Sequence, residues 1–239
     1  MKKLLFLPLA LLMLFSCKDD DDPSPREIRY QIYQEFLDGL EFDCPSDSTS
    51  AYYFKGAING EQACYYDGID GVEVSFGFLS KFETSGSSTS DSVFNVRQGA
   101  NLLFVPFPLE NGEEFIDLIF PCFERGKSRI EYIEALFAIE NHQILSDQLE
   151  DNGFEVMLNL MELRGKNEGV TYPLSTRWGP QPNSYLRLRK AERSRIDDTI
   201  YYEIEMELAC DLYHWEQNGQ TGLWGRIEQA SIRAKFPIK

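Results

Sequence analysis

Residues 184–192, SYLRLRKAE, and residues 199–210, TIYYEIEMELAC, decide the fold. Apolar and charged side chains alternate in both, the period of a strand with one buried face. A turn centred near residue 196 folds them into a hairpin. Arg189 then faces Glu203 and Arg187 faces Glu205, while Leu188 meets Ile204 and Leu186 meets Met206. Both faces become complementary at one register, and burial of one face is what holds a register in place. Asn218-Gly219 turns the chain again. A last strand sets Ala230, Ile232, Ala234 and Phe236 between Gln229, Ser231, Arg233 and Lys235.

The same rhythm runs upstream. Residues 51–58 and 61–66 flank Asn59-Gly60, a hairpin turn whose two residues need positive φ. Val72, Val74, Phe76, Phe78 and Phe82 alternate with polar residues in a half-buried strand, and Thr84 to Asp91 reads as a loop. Ser92 to Gln98 and Asn101 to Phe107 read as two further strands, the second stopped by Pro106 and Pro108. Residues 115–120 and 154–160 are short apolar runs of strand length. Gly165 to Gly169 reads as a turn, and Tyr172 to Trp178 runs extended into the loop 179–183. Two stretches have helical spacing instead. Ser24-Pro25-Arg26-Glu27 and Ser128-Arg129-Ile130-Glu131 are helix-start sequences, a capping Ser with Glu three residues on. They predict helices over about 25–39 and 129–139. About ten strands, two short helices and no βαβ rhythm predict a mainly β protein, an antiparallel two-sheet β-sandwich of Ig-like or jelly-roll style.

The chain has 239 residues, a formal net charge of −16 and 43% apolar residues. It can bury a core. So acidic a surface repels polyanions, which excludes bulk nucleic-acid binding. With two His, a His-rich metal site is not expected, and no cofactor is expected.

Residues 1–17, MKKLLFLPLALLMLFSC, have a basic start and an apolar stretch too short to span a bilayer, the pattern of an export signal. The ending Leu14-Phe15-Ser16-Cys17 resembles a bacterial lipobox. That resemblance implies removal of residues 1–16, acylation of Cys17 and a partner in the lipid bilayer. Residues 17–25 then form an acidic tether, and residues 26–239 a single domain. Cys17-Lys18 followed by Asp19 to Asp22 resembles the surface-export signal of Bacteroidota-type lipoproteins. The whole layout, with Ile-Asn-Gly-Glu at residues 58–61, is similar to uncharacterised surface lipoproteins of that group. The resemblance implies an outer-membrane lipoprotein at the cell surface, with the periplasmic face as the alternative. It brings no catalytic residue.

Cys44, Cys64, Cys122 and Cys210 remain once Cys17 carries lipid. Four cysteines in an exported chain allow three connectivities. Cys44–Cys64 with Cys122–Cys210 is the favoured pairing, and four reduced thiols is the alternative.

The chemistry-bearing candidates point to binding, not catalysis. Gly126-Lys127-Ser128 echoes the end of a phosphate loop, but the position that needs a first Gly is Pro121, which has no amide hydrogen. Asp67 to Gly71 and Asp147 to Gly153 match a calcium loop only in part. His142 and His214 have no nucleophile near them in sequence, and no Gly-x-Ser-x-Gly occurs. Paired carboxylates of a hydrolase are not singled out among 39 acids. Trp178, Trp215 and Trp224 sit at strand ends or turns with Tyr213, where flat rings stack on sugars or fill protein pockets. Arg187 and Arg189, with Lys190, Arg193 and Arg195, form a basic cluster that either takes an anionic glycan or pairs across strands with Glu203 and Glu205. The expected function is a non-enzymatic, lipid-anchored binding or adhesion accessory, its ligand a glycan. The alternatives are an assembly subunit that docks a surface protein and a hydrolase.

Overall fold

The two helix starts form as their chemistry dictates. In the first, the Glu27 amide donates to Ser24 Oγ at 3.2 Å and the Ser24 amide to Glu27 Oε2 at 2.6 Å, opening helix α1, Pro25–Asp38. In the second, Glu131 and Ser128 close the same reciprocal pair at 3.2 and 2.8 Å, opening α2, Arg129–Phe137. Each pair satisfies amides that a helix leaves without partners in its first turn. The computed structural model describes residues 24–38, 42, 44, 50–69, 72–85, 93–106, 113–122, 127–147, 153–162, 170–215 and 219–238. The leader, Cys17 and the acidic tether lie outside the described residues. So do Gly126, most of the loop 84–91, residues 148–152, the turn 165–169 and Asn218.

Strands β1, Tyr53–Ile58, and β2, Glu61–Tyr66, join through Asn59 and Gly60 at φ 52° and 84°, the doubly positive turn that Asn-Gly favours. Strand β3, Val72–Ser85, pairs with β4, Val93–Pro106, without interruption. The two strands expected on either side of Gly99 are therefore one. Gly99 and Ala100 keep their places opposite Leu79 and Phe78, so the ladder carries the glycine instead of breaking at it. Then follow β5, Glu113–Ile119, the two-residue β6, Asn141–His142, β7, Glu155–Glu162, and β8, Val170–Ser175. One 3-10 turn, Thr176–Trp178, leads on to β9, Tyr185–Ile196, β10, Thr199–Trp215, and β11, Thr221–Ile238.

All eleven strands belong to one hydrogen-bonded sheet, ordered β2-β1-β11-β10-β8-β7-β5-β4-β3, every pair antiparallel. The expected two separate sheets are replaced by a single path, and β10 is the reason. Its first two-thirds, Thr199 to Ala209, pair with β9, which in turn holds β6. Further along the same edge Tyr213 pairs with Ser175 of β8. One long strand thus bridges what would otherwise be two sheets.

The sheet rolls over. Phe76 of β3 stacks on Phe236 of β11 at 3.9 Å, and Phe54 of β1 meets Phe104 of β4 at 6.0 Å, so strands from opposite ends of the path pack face to face. Eight successive reversals leave β2 and β3 pointing the same way. The link at Asp67–Ile69 therefore bends the chain onward from one end of the path to the other and folds no hairpin. The concave face holds the fully buried Leu102, Ile116, Leu118, Leu158, Leu174 and Ile204. Helix α2 closes over it, with Phe137 between Phe120, Tyr202 and Phe236. Helix α1 lies by β8 and β10: the Tyr33 hydroxyl donates to the Pro173 carbonyl at 2.9 Å and its ring stands 6.2 Å from His214.

The β9–β10 hairpin forms at a different register from the expected one. Its turn is Asp197-Asp198, with Asp197 at φ 53°, and Ile196 pairs with Thr199. That tight turn alone would set Leu188 against Glu207. A bulge between Lys190 and Leu188 resets the pairing, so Leu188 meets Met206 and Leu186 meets Leu208, all four buried. Arg187 consequently faces Glu207, not Glu205. Glu203 and Glu205 instead serve Arg233 of β11, at 2.6 and 3.5 Å.

Cys44 and Cys64 are joined by a disulfide, fastening the segment after α1 to β2. The second expected bridge does not form. Cys210 is fully buried on β10 and Cys122 follows β5, and both are thiols. Burial pushes the Cys210 thiol well above its ordinary pKa, so it is held protonated.

Candidate functional site

Among the described residues, the sheet's convex side carries an open groove, and a bulge makes it. Between Lys55 and Ala57 of β1, strand β11 runs from Ser231 back to Glu228, one residue more than its neighbour. Against β10 the same stretch gains one residue between Leu208 and Cys210. The extra residue is Gln229, at φ 46°. A bulge bends its strand and deepens the local twist. The bend opens a groove of about 710 Å³ across β2, β1, β11, β10 and β9. Small residues, Gly56, Ala57 and Ala209, form its floor. Lys55, Gln62 and Ser231 stand on one side, and Tyr185, Arg226, Glu228 and Gln229 complete the wall.

Gly56 is required for this shape. A Cβ there would lie 2.7 Å from the Ala230 Cβ and 2.9 Å from its Cα, closer than real atoms approach. Gly56→Ala forces the two strands apart and is expected to cost about 1–3 kcal/mol. Urea denaturation checks it, and an unchanged midpoint would contradict the packing described here.

Arg226 supports the wall. Its guanidinium donates to the Asp211 carboxylate and to the Asn183 carbonyl, and its amide donates to Asn59 Oδ1 at 2.8 Å. Gln181 extends the support: its Nε2 donates to the carbonyls of Thr176 at 3.0 Å and Asp211 at 2.9 Å, and its Oε1 accepts the Asp211 amide at 3.0 Å. The loop that follows β8 is thereby held against β10 and β11.

Around the groove the sheet is a charge ladder. Acidic residues of β10 stand between basic residues of β9 and β11. Arg189 donates to Glu207 at 2.6 Å, and this hydrogen bond holds the Glu207 carboxyl below its ordinary pKa. Lys190 pairs with Glu192 at 3.0 Å, Arg193 with Glu134 at 2.7 Å and Arg195 with Asp198 at 3.2 Å. Exposed pairs of this kind contribute little stability. Of the sequence's basic cluster, Arg187 alone has no ion pair among the described residues. Its guanidinium lies 5.0 Å over the ring of Tyr185, a wall residue of the groove.

The expected aromatic platform has a different setting. Tyr213 is buried, its hydroxyl donates to the Pro180 carbonyl at 2.6 Å, and its ring occupies the space that a Cβ on Gly179 would need. Trp224 packs against the core, and the Trp178 carbonyl accepts from Thr221 Oγ1 at 2.8 Å. Trp215 ends β10, and its side chain lies outside the described ones. Among the described side chains, Tyr213, Trp178 and Trp224 do not line the groove. The residues that do line it were not singled out by sequence, apart from the neighbouring Arg187. One signal existed: Glu228-Gln229 places two polar residues in succession inside an alternating strand, the mark of a bulge.

Other polar clusters are enclosed. Glu155 is buried, accepting from Ser175 Oγ at 2.7 Å and Arg177 Nε at 3.1 Å, and Ser175 has no exposed surface. The trio locks β7 to β8, with the Glu155 carboxylate buried and Arg177 partly exposed. Among the described residues no three His, Cys, Asp or Glu side chains gather as metal ligands. His142, on β6, sets its ring 4.9 Å from Phe154 with Nε2 unpartnered, and His214 leaves a buried Nδ1 unpartnered. Burial holds the His142 pKa below its ordinary value. The fold thus favours the neutral ring: the stability is complete above the unfolded pKa of about 6.5 and is lost as pH falls below it towards the folded pKa. Denaturation at pH 7.5 and 5.5 should show a loss at the lower pH that His142→Leu reduces. An identical loss in the variant would clear His142 of the effect.

No family model, no curated protein and no solved structure matches the chain.

Proposed function

We propose that this is an exported, lipid-anchored binding protein whose convex groove takes a glycan. The groove carries the reading. It is open, its floor is made of small residues, and its rim offers Gln62, Gln229, Ser231, Glu228 and Lys55, donors and acceptors suited to sugar hydroxyls. In this reading the rolled sheet works as a two-layer sandwich, and the groove faces away from the interior. Two features support export: the lipobox-like Leu14 to Cys17, and the Cys44–Cys64 disulfide, a bond that persists in oxidising compartments. Acylated Cys17 would anchor the chain in the outer membrane, and the acidic tether would hold the domain at the cell surface.

Two measurements test it. Cys17→Ala should move the protein from the membrane to the soluble fraction, and continued membrane association would refute the anchor. A glycan array probed with residues 23–239 should give binding at micromolar concentration, and an empty array would refute the ligand class. The assembly-subunit reading has one favourable feature, the long terminal strand β3, which among the described residues pairs only with β4. An added strand would dock there. Recovery of a stoichiometric protein partner, lost when β3 carries a proline, would favour that reading over the groove.

A further inference from the structure

We infer that the groove selects an anionic oligosaccharide, a uronate-type chain laid across the strands between Lys55 and Arg187. This rests on the glycan reading above. The observation is the placement of cations without carboxylate partners. Arg189, Lys190, Arg193, Arg195, Arg226 and Arg233 each have an acidic partner within 4 Å. In a chain with a net charge of −16, that is the ordinary fate of a basic side chain. On strands β1, β9 and β11, the described residues give no such partner to Lys55, Arg187 or Lys235. Lys235 and Arg187 each lie over a ring, Tyr201 at 5.7 Å and Tyr185 at 5.0 Å, and Lys235 stands in the separate row of Glu203. Lys55 and Arg187 share one cross-strand row. Arg187 pairs with Glu207, Glu207 with Ser231, and Ser231 with Lys55. Three strand spacings separate the two cations, about 14 Å. Glu207, directly beside Arg187 and two strands from Lys55, is occupied by Arg189.

The adjoining row explains why the ligand is a sugar. There Tyr185 pairs with Ala209, while Ala57 pairs with both Glu228 and Gln62. An aromatic ring stands at one end, small residues lie beneath, and neutral or acidic hydrogen-bonding groups line the side. A sugar face rests on such a ring while its hydroxyls meet Gln62, Glu228 and Gln229. An acidic peptide fits less well. It gains most of its affinity from unpaired backbone at a sheet edge. The floor of this groove is β1, β11 and β10, each paired on both sides.

Titration calorimetry of the full chain in detergent tests this with three probes: a short oligogalacturonate, the same chain as its methyl ester, and a poly-glutamate peptide. The acidic sugar should bind at least tenfold more tightly than its ester, and added salt should narrow the gap. Lys55→Gln and Arg187→Gln, both at exposed positions, should each lower affinity for the acid about tenfold and affinity for the ester much less. Equal binding of acid and ester, unaffected by the two variants, would overturn the charge selection and leave the glycan reading standing. Equal or tighter binding of poly-glutamate would overturn the sugar class. Binding by none of the probes would overturn the inference, and an empty glycan array alongside it would overturn the glycan reading as well.

Discussion

Phe54→Ala is expected to lower the unfolding free energy by about 3–5 kcal/mol, a large share of the roughly 5–15 kcal/mol that a domain has. Phe54 has no exposed surface. Its ring touches strands from both ends of the sheet, 6.0 Å from Tyr65 on β2 and 6.0 Å from Phe104 on β4. It is therefore one of the contacts that hold the sheet rolled, and truncation leaves a cavity at the closure. β1 is hydrogen-bonded on both sides, so little backbone relaxation can fill that space. Lys55→Ala, next along the chain but on the exposed face, should change stability by under about 0.5 kcal/mol. Urea denaturation of both proteins measures the contrast. Equal effects would mean that Phe54 does not face the interior.

Removing the Cys44–Cys64 bond is expected to cost about 3 kcal/mol. The cysteines are 20 residues apart, and a cross-link over a loop of that size restricts the unfolded chain by about that amount. The bond also ties the segment after α1 to the convex side of β2, close to Tyr66, whose hydroxyl lies 4.0 Å from the Cys44 sulfur. Dithiothreitol should shift the denaturation midpoint of the wild-type chain downward. It should do the same to Cys122→Ala and leave the double variant Cys44→Ala/Cys64→Ala unmoved. A reductant shift that survives in the double variant would mean that another pair carries the bridge.

What could be read from sequence was local. The capping boxes at Ser24 and Ser128 and the Asn59-Gly60 turn are each complete within four residues, and all three form. The alternation around Leu188 and Met206 identified two strands with one buried face. It could not choose their register. Charges recur every second residue in LRLR, residues 186–189, and in EIEME, residues 203–207, so a shift of two positions preserves both the apolar and the charged matches. The Asp197-Asp198 turn and the bulge before Leu188 decide between them. The number of sheets was also out of reach, because bulges restart the alternation inside β10 and β11 and hide their true lengths. The groove was hidden for a related reason. Lys55, Tyr185 and Glu228 come together only once β1, β9 and β11 lie in order. Aromatic residues near turns drew attention because sequence does not reveal that Tyr213 is buried against Gly179.

Hydrogen exchange of the full chain, with and without the oligosaccharide that binds it, tests the placement of the site most directly. Protection should appear at residues 55–57, at Gln62, at residues 185–187 and at residues 226–231, the segments that form the groove and carry the neighbouring Arg187. Protection confined to Trp178, Tyr213 and Trp224, or binding that protects no part of β1 and β11, would contradict it.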